Sequence, residues 1–401
     1  MTRPLLLLAA PSRESRDKAD HLAAAARQLG LPVQSLVCDS SERLRSSLAP
    51  ESGRFAIACS DVHAVTAAEI NVASGNDGLS IEMTSLLVDK ATGIPALARL
   101  LDLPMLPQCL PQSLAEIAAW PHRGALIVKP TRSSGGWSRR PWGYRCFPTK
   151  EHFSNYLVET GSVDAFLAEQ SHPGADGPCL LQAALDTPRV SFATLLLTPR
   201  QAVLVCSGDT YFEPAHAEGH GRRWSRAIYH LDPAATLRRR LPWLRLQPFG
   251  QAGWGRCLLH VQAIEDATGC HLIDIQPRVC TSWDWMIAAL DPTAHRRLLA
   301  ALLFDDVFDP GLPAPVVALD LLHVDSAHPL VAIDHPPLPT HIRPVRLTPQ
   351  ACGSSAGAFD KAGMAPAFIT MADDVATCSA RADAFRHGIR LRSGSSQERT
   401  I

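Results

Sequence analysis

The first sixty residues alternate between short apolar runs and helical spacing, and that alternation limits the fold more than any other feature of the chain. The run Leu5–Ala9 is closed by Pro11 and Ser12. Residues 13–29 then repeat apolar side chains at helical intervals (Ala19, Leu22, Ala23, Ala26, Leu29), and Gly30 stops the helix. Val33–Val37 and residues 55–59 read as further strands. A β-α-β-α-β order predicts a parallel sheet with helices on its faces. No G-x-G-x-x-G follows the first strand, so a dinucleotide-binding loop has no support.

Arg3 ahead of the Leu run resembles the start of a secretion signal. The run is too short for a signal core or a span, and a helical pattern follows at once, so a buried first strand accounts for it better. No later stretch reaches the ~18 uninterrupted apolar residues that a span needs.

With 401 residues, 46% hydrophobic and 19% charged, the composition is that of a globular protein with room for two or three lobes. A formal net charge of −1 supplies no field to recruit nucleic acid or an anionic membrane. The 11 cysteines contain no C-x-x-C pair and are odd in number. They argue against a disulfide framework or zinc site and for reduced thiols in the cytoplasm. Many of the 32 prolines fall at segment boundaries and in residues 310–350, which suggests rigid loops.

Further along, residues 81–92, carrying Asp89-Lys90, read as a helix, and residues 96–103 as a second one ended by Pro104. Strands are expected at 125–129, 179–185, 191–197 and 201–206, then at 254–266 and 270–275 around a turn at Thr268-Gly269. Helices are expected at 151–159, 285–290, 293–304 and 373–387. A strand at 316–323 precedes a Pro-rich passage, and the polar residues 391–401 read as a disordered tail. The implied units are 1–80, 81–178, 179–310 and 311–390, followed by the tail.

Three patches carry chemistry. In G-A-L-I-V-K-P-T-R-S-S-G-G-W-S (residues 124–138) an apolar strand ends in Lys129, and Ser133, Ser134, Gly135 and Gly136 follow in a loop. Such a loop can lay backbone N–H groups against phosphate oxygens, with the lysine as a point charge; it can equally be ordinary linkage. In C-L-L-Q-A-A-L-D (residues 179–186) a strand carries Gln182 and runs on through Ala184 and Leu185 to Asp186. It reads either as a hinge that binds a base through its main chain or as a core strand. In H-V-Q-A-I-E-D-A-T-G-C-H-L-I-D-I-Q-P-R (residues 260–278) two strands bring Gln262 opposite the end of the return strand. Asp274 and Gln276, two apart, share a face there, with Arg278 just beyond. Three oxygen-bearing side chains converge, as hard cations such as Mg²⁺ require.

In this order the patches resemble the ATP-grasp superfamily. That family carries D-K on a helix (here Asp89-Lys90) and V-K-P before a glycine-rich loop (here Val128-Lys129-Pro130). An adenine hinge follows, here Gln182, Ala184 and Leu185, and then an E-x-N-x-R metal strand, here Asp274 to Arg278. The resemblance implies an α/β protein with α+β lobes, in which the grasp follows a Rossmann-like N-terminal domain and precedes a C-terminal lobe. It implies that Lys90 and Lys129 touch ATP, and that Ser133, Ser134, Gly135 and Gly136 close over its phosphates. Gln262, Asp274 and Gln276 would hold Mg²⁺ (or Mn²⁺), and Arg278 would stabilise charge on the transferred phosphoryl group. H-V-Q stands where carbamoyl-phosphate synthase-like members have N-V-Q. Asp274 and Gln276 replace the usual Glu and Asn, moving each donor by one methylene, so the number of metal ions is left open.

The segment 213–226 holds Arg222, Arg223 and Arg226, which could bind an anionic substrate through paired N–H donors or belong to a solvated loop. His216 and His220 make a poor metal pair, since Gly219 interrupts the helix they would need. The implied activity is ligation of a small carboxylate to an amine through an acyl phosphate. Alternatives are carbamoyl-phosphate synthase-like or carboxylase-like phosphorylation of a small metabolite, and nucleotide binding without turnover. The expected partners are small molecules, with no nucleic acid and no membrane; a homodimer is expected by family analogy alone.

Overall fold

The computed structural model describes residues 4–47, 53–132, 142, 145–173, 177–185, 187, 189–214, 222–230, 241–251, 254–309, 314–322, 330–347, 366–393 and 398–400. The N-terminal unit is β1 (Leu5–Ala9), α1 (Arg13–Gln28), β2 (Val33–Val37), α2 (Ser41–Ser47), β3 (Phe55–Ala58) and α3 (Ala64–Ala73). Its three strands are parallel in the order β2-β1-β3, as the alternating pattern predicts. Every residue of β1 is buried because both faces are covered: Leu5 and Leu7 pack toward the main core, Leu6 and Leu8 toward α3. Ser12 caps α1 by accepting from Ser15 N at 3.3 Å, and Gly30, at φ +70°, turns the chain out of it.

Two helices follow, α4 (Ile81–Val88) and α5 (Lys90–Leu101). The continuous helix expected over 81–92 is broken at Asp89, whose backbone is extended and whose carboxylate caps α5 by accepting from Ala91 N at 3.0 Å. Pro95 sits inside α5 and has no N–H for the Ala91 carbonyl; the Gln108 side chain donates to that oxygen instead, at 3.3 Å.

The small lobe comprises β4 (Gln108–Cys109), α6 (Leu114–Ala119), β5 (Leu126–Pro130), β6 (Arg145–Phe147), α7 (Lys150–Glu159), α8 (Val163–Ser171) and β7 (Cys179–Ala183). Its sheet runs β4-β7-β5-β6, packed on Ile117, Phe153, Leu157 and Phe166.

The large lobe begins with β8 (Arg189–Leu197), β9 (Ala202–Pro214), β10 (Arg222–His230), α9 (Gln247–Gln251), β11 (Cys257–Asp266) and β12 (Gly269–Gln276). It continues with α10 (Thr281–Leu290), α11 (Ala294–Phe304), β13 (Val316–Leu321), β14 (Leu330–Asp334), β15 (Ile342–Arg346), β16 (Ala367–Ala372) and α12 (Val375–His387). The chain ends in β17 (Arg390–Ser393) and β18 (Glu398–Thr400). An eight-stranded antiparallel sheet, β12-β11-β8-β9-β10-β13-β16-β15, is the backbone of this part. One face packs on α1, α10 and α11 through Phe192, Tyr229, Trp283 and Leu298, and the other on α5 through Leu195, Val261, Ile94 and Leu97.

Two further expectations change. Strand β9 runs to Pro214 and β10 starts at Arg222, so Arg222, Arg223 and Arg226 lie on a strand and not in a loop. The tail is not wholly disordered, because β17 pairs with β14 and β18 with β17. None of the ten described cysteines forms a disulfide, and no described helix is long and apolar enough to cross a membrane.

Candidate nucleotide and metal site

Strand β5 lies between β6 and β7, and Ile127 faces Gln182 across the β5–β7 pair. Lys129, two residues on and on the same face, therefore reaches Gln182 diagonally: its Nζ donates to Gln182 Oε1 at 2.8 Å. The same ammonium donates to the main-chain carbonyl of Ile273 at 2.7 Å, tying the small lobe to the large sheet. That carbonyl is free because β12 bulges there. Gln262 pairs with Asp274 and Ala263 with Leu272, which leaves Ile273 as the extra residue outside the ladder.

Lys90 opens α5, fixed by its own N–H to the Thr131 carbonyl at 2.7 Å. Its Nζ lies 3.2 Å from Asp274 Oδ1, and the side chain is only 3% exposed. Two lysine side chains are thus buried around one carboxylate. Burial pushes the pKa of Lys129 down to about 7; Asp274 opposes the shift and Lys90 adds to it.

The β11–β12 hairpin carries the oxygen donors. Asp266 Oδ1 accepts from Thr268 N and Gly269 N at 2.7 and 3.1 Å, and Gly269 takes φ +137° to complete the turn. Gln262 and Asp274 are cross-strand partners, as are His260 and Gln276. Gln276 Nε2 donates to Asp274 Oδ2 at 2.9 Å, and Gln262 Nε2 lies 3.3 Å from His260 Nε2. Each amide nitrogen thus has a protein partner, and neither Oε1 atom has a described donor. The set of two amide oxygens and one carboxylate suits a hard, oxygen-seeking divalent cation.

Arg278 follows Pro277 and is held by the N-terminal unit. Its Nε donates to Asp61 Oδ1 at 2.8 Å and its Nη1 to the Val279 carbonyl at 2.9 Å. Asp61 follows β3 and Glu14 lies in the first turn of α1, so both acids sit at the C-terminal edge of the parallel sheet. Burial alone would raise the Glu14 carboxyl. Lys18, Arg278 and the hydrogen bonds from Thr281 and Lys18 outweigh it and bring the pKa to about 2. The Arg278 guanidinium is held above the arginine range: Asp61 and Glu14 outweigh its burial.

The structure therefore brings Lys90, Lys129, Gln182, Gln262, Asp274 and Gln276 together, with Arg278 at the adjoining edge. Ala184 and Leu185 continue from β7, Ala184 N donating to the Ala125 carbonyl at 2.8 Å. Ser133, Ser134, Gly135, Gly136, Asp186, His216 and His220 lie outside the described residues. Arg222 and Arg223 lie on β10, where only their backbone is described, and Arg226 is bound by Asp320 and Asp383 at 2.7 Å each. Sequence reasoning passed over His260, although its place two residues before Gln262 puts both on one strand face. It also missed Asp61 and Glu14, which carry no local sign of a partner more than 200 residues away.

A nucleotide and a cation fit this arrangement. Gln182 Nε2, in a side chain 1% exposed, has no acceptor among the described residues, an orphan donor beside two buried ammonium groups. The lysines suit phosphate oxygens, and the two amide oxygens without a described donor suit Mg²⁺.

No protein-family model matches the chain, and no curated protein matches it at a significant level. Solved structures do. An L-amino acid ligase from Bacillus licheniformis superposes with a TM-score of 0.69 at 12% identity, over 98% of this chain and 99% of that one. The biotin carboxylase domain of Hydrogenobacter thermophilus 2-oxoglutarate carboxylase, solved with MgADP, ADP and bicarbonate, gives 0.65 at 13% identity, over 99% and 92%. A carboxyaminoimidazole ribonucleotide synthase from Aspergillus clavatus, complexed with ATP, gives 0.60 at 12% identity, over 96% and 97%. At these identities the likeness establishes architecture, and over nearly its whole length the chain has the ATP-grasp fold.

Proposed function

We propose that this chain is an ATP- and Mg²⁺-dependent ligase that joins a small-molecule carboxylate to an amine and forms ADP and phosphate. The observation that carries the reading is the buried pair Lys90, on α5, and Lys129, on β5, which meet Asp274 and the Ile273 carbonyl of β12. Two ammonium groups share this one carboxylate, and nucleotide phosphates are anions that would balance the remaining charge. The fold neighbours named for amino-acid ligation and ribonucleotide synthesis, and the MgADP and ATP present in two of them, support the same reading.

In this reading a carboxylate oxygen attacks the γ-phosphorus, the bond to the β-phosphate oxygen breaks, and ADP leaves. The amine then attacks the acyl carbon and phosphate departs with the bonding pair. Lys129 and Lys90 neutralise the transferring group, and Gln182 offers its free N–H to the base. Gln262, Asp274 and Gln276 would hold the cation, whose contribution is to draw charge from the phosphate oxygens. Arg278, kept charged and oriented by Asp61, lies at the C-terminal edge of the parallel sheet, a usual position for ligands of α/β sheets. Arg222 and Arg223 are proposed to bind the anionic substrate.

The test is a phosphate-release screen of amino acids and small carboxylates, singly and in pairs with amines, with ATP and Mg²⁺. Phosphate release that needs both an acid and an amine is the expected result. Binding of ATP with no ADP formed in any mixture would overturn turnover as the function. Release with an acid or bicarbonate alone would assign phosphorylation or carboxylation in its place.

A further inference from the structure

The charge of the candidate cation site is unusual. Its three side-chain donors bring one carboxylate, Asp274, and two neutral amides, Gln262 and Gln276. A carboxylate offers a cation two equivalent oxygens, whereas an amide offers one oxygen and one N–H₂ that repels it. An amide ligand is useful only if its orientation is fixed. For Gln276 the fixing group is Asp274 Oδ2, which accepts from Nε2 at 2.9 Å. For Gln262 the corresponding group is His260.

We propose that His260 is a positioning residue, which holds the Gln262 amide so that Oε1 faces the cation. This rests on the nucleotide- and metal-binding reading above. The imidazole is 4% exposed and has three polar partners: its Nδ1 is 3.0 Å from Thr194 Oγ1, its Nε2 is 3.3 Å from Gln262 Nε2, and the Cys280 thiol also hydrogen-bonds to the ring. With the Gln262 amide nitrogen on the ring side, the Nδ1-protonated tautomer is the one in which His260 Nε2 accepts from Gln262. The proton then sits on Nδ1 and is donated to Thr194 Oγ1. Thr194 occupies the β8 position directly opposite His260, so the ladder itself sets this relay. Phe192, whose ring lies 5.6 Å from the imidazole centroid, and Cys280, whose thiol hydrogen-bonds to the imidazole, leave it little room to turn. His260 touches no reacting atom; it acts through Gln262.

The design differs from one built on a carboxylate, which would need no such orientation. Replacing Gln262 by Glu should therefore make His260 dispensable, and this separates the proposal from a purely structural role for the histidine.

The experiment measures Mn²⁺ binding by electron paramagnetic resonance, on the full chain saturated with a non-hydrolysable ATP analogue. Four proteins are compared: wild type, His260→Phe, His260→Phe/Gln262→Glu and Cys280→Ala. Outer partners of this kind are worth about 10- to 100-fold in metal affinity. His260→Phe should weaken Mn²⁺ binding by that factor with analogue affinity in metal-free buffer unchanged, the double variant should recover most of it, and Cys280→Ala should match wild type. Unchanged affinity in His260→Phe overturns the proposal, as does a double variant no better than the single one. An equal loss in Cys280→Ala overturns it too, because the ring's bond to Cys280, and not its bond to Gln262, would then be what matters. Should the wild type bind neither analogue nor Mn²⁺, the nucleotide reading falls first and this inference with it. Should His260→Phe fail to fold, His260→Leu replaces it in both arms, and folding is checked by near-UV circular dichroism.

Discussion

Lys129 and Ile273, 144 residues apart in sequence, are joined by a 2.7 Å hydrogen bond from the ammonium of one to the main-chain carbonyl of the other. The bond exists because β12 bulges at Ile273 and releases that carbonyl from its ladder. It closes the small lobe onto the large sheet at the place where the nucleotide phosphates are proposed to lie. Replacing Lys129 by Met removes the cation and keeps the length of the side chain. We expect ADP release to fall by at least about 100-fold, in line with loss of a charge acting on a developing anion, with the circular dichroism spectrum unchanged. Full activity in Lys129→Met would remove this residue from the site.

The depressed pKa of Lys129, about 7, gives a pH signature. Above that pH the free protein holds Lys129 increasingly neutral, and phosphate binding must restore its proton. Nucleotide affinity is expected to fall as pH rises from 7 to 9, and calorimetry in buffers of different ionisation enthalpy should detect proton uptake. The stability effect has the opposite slope. Between about pH 7 and the unfolded-state value near 10.5 the unfolded chain binds more protons, so this residue's share of stability rises with pH.

Asp274→Asn tests the other half of the site. It leaves Lys90 buried without its charged partner, and loss of one member of a buried pair costs about 3 kcal/mol. ADP release should be abolished and the urea midpoint lowered. In the double variant Lys90→Met/Asp274→Asn the stability should return while activity does not. A stable, active Asp274→Asn protein would contradict both expectations.

The join between the N-terminal unit and the large lobe has its own titration. Asp284, fully buried in α10, accepts from His21 Nδ1 of α1 at 2.9 Å and from His295 Nε2 of α11 at 2.7 Å. Burial favours the neutral acid, but the two histidine bonds outweigh it and lower the Asp284 pKa; burial of His21 is likewise outweighed by Asp284, so its pKa is raised. The Asp284 contribution is present above its unfolded pKa and lost as pH falls through the depressed folded one. The His21 contribution is complete below its unfolded pKa and lost as pH rises through the raised one. The stability gap between wild type and Asp284→Asn in urea should therefore be widest between these two values, about 3 kcal/mol, and shrink on either side. A gap independent of pH would show that the bridge is uncharged.

Much of the candidate site's geometry was legible because its signals are local. Lys129 ends an apolar strand, Asp274 and Gln276 are two apart on another, and the N-terminal alternation predicts the parallel sheet. What escaped depends on register and on distant contacts. No residue type marks the bulge at Ile273, and the break at Asp89 rests on a cap that competes with an otherwise good helical pattern. The extension of β9 and β10 was hidden because a stretch rich in Arg, His and Gly reads as a loop until its strand partners are known. Arg278 reads as a free cation until folding brings Asp61 against it, 217 residues away in the chain.

The central claim is transfer of the γ-phosphoryl group to a carboxylate, and isotope tracing tests it most directly. The acid found in the release screen is labelled with ¹⁸O in its carboxylate and turned over with ATP, Mg²⁺ and its amine, and the released phosphate is analysed by mass spectrometry. An acyl phosphate predicts one ¹⁸O in each phosphate, because the carboxylate oxygen that attacked phosphorus leaves with it. Unlabelled phosphate formed alongside the amide product would contradict the account.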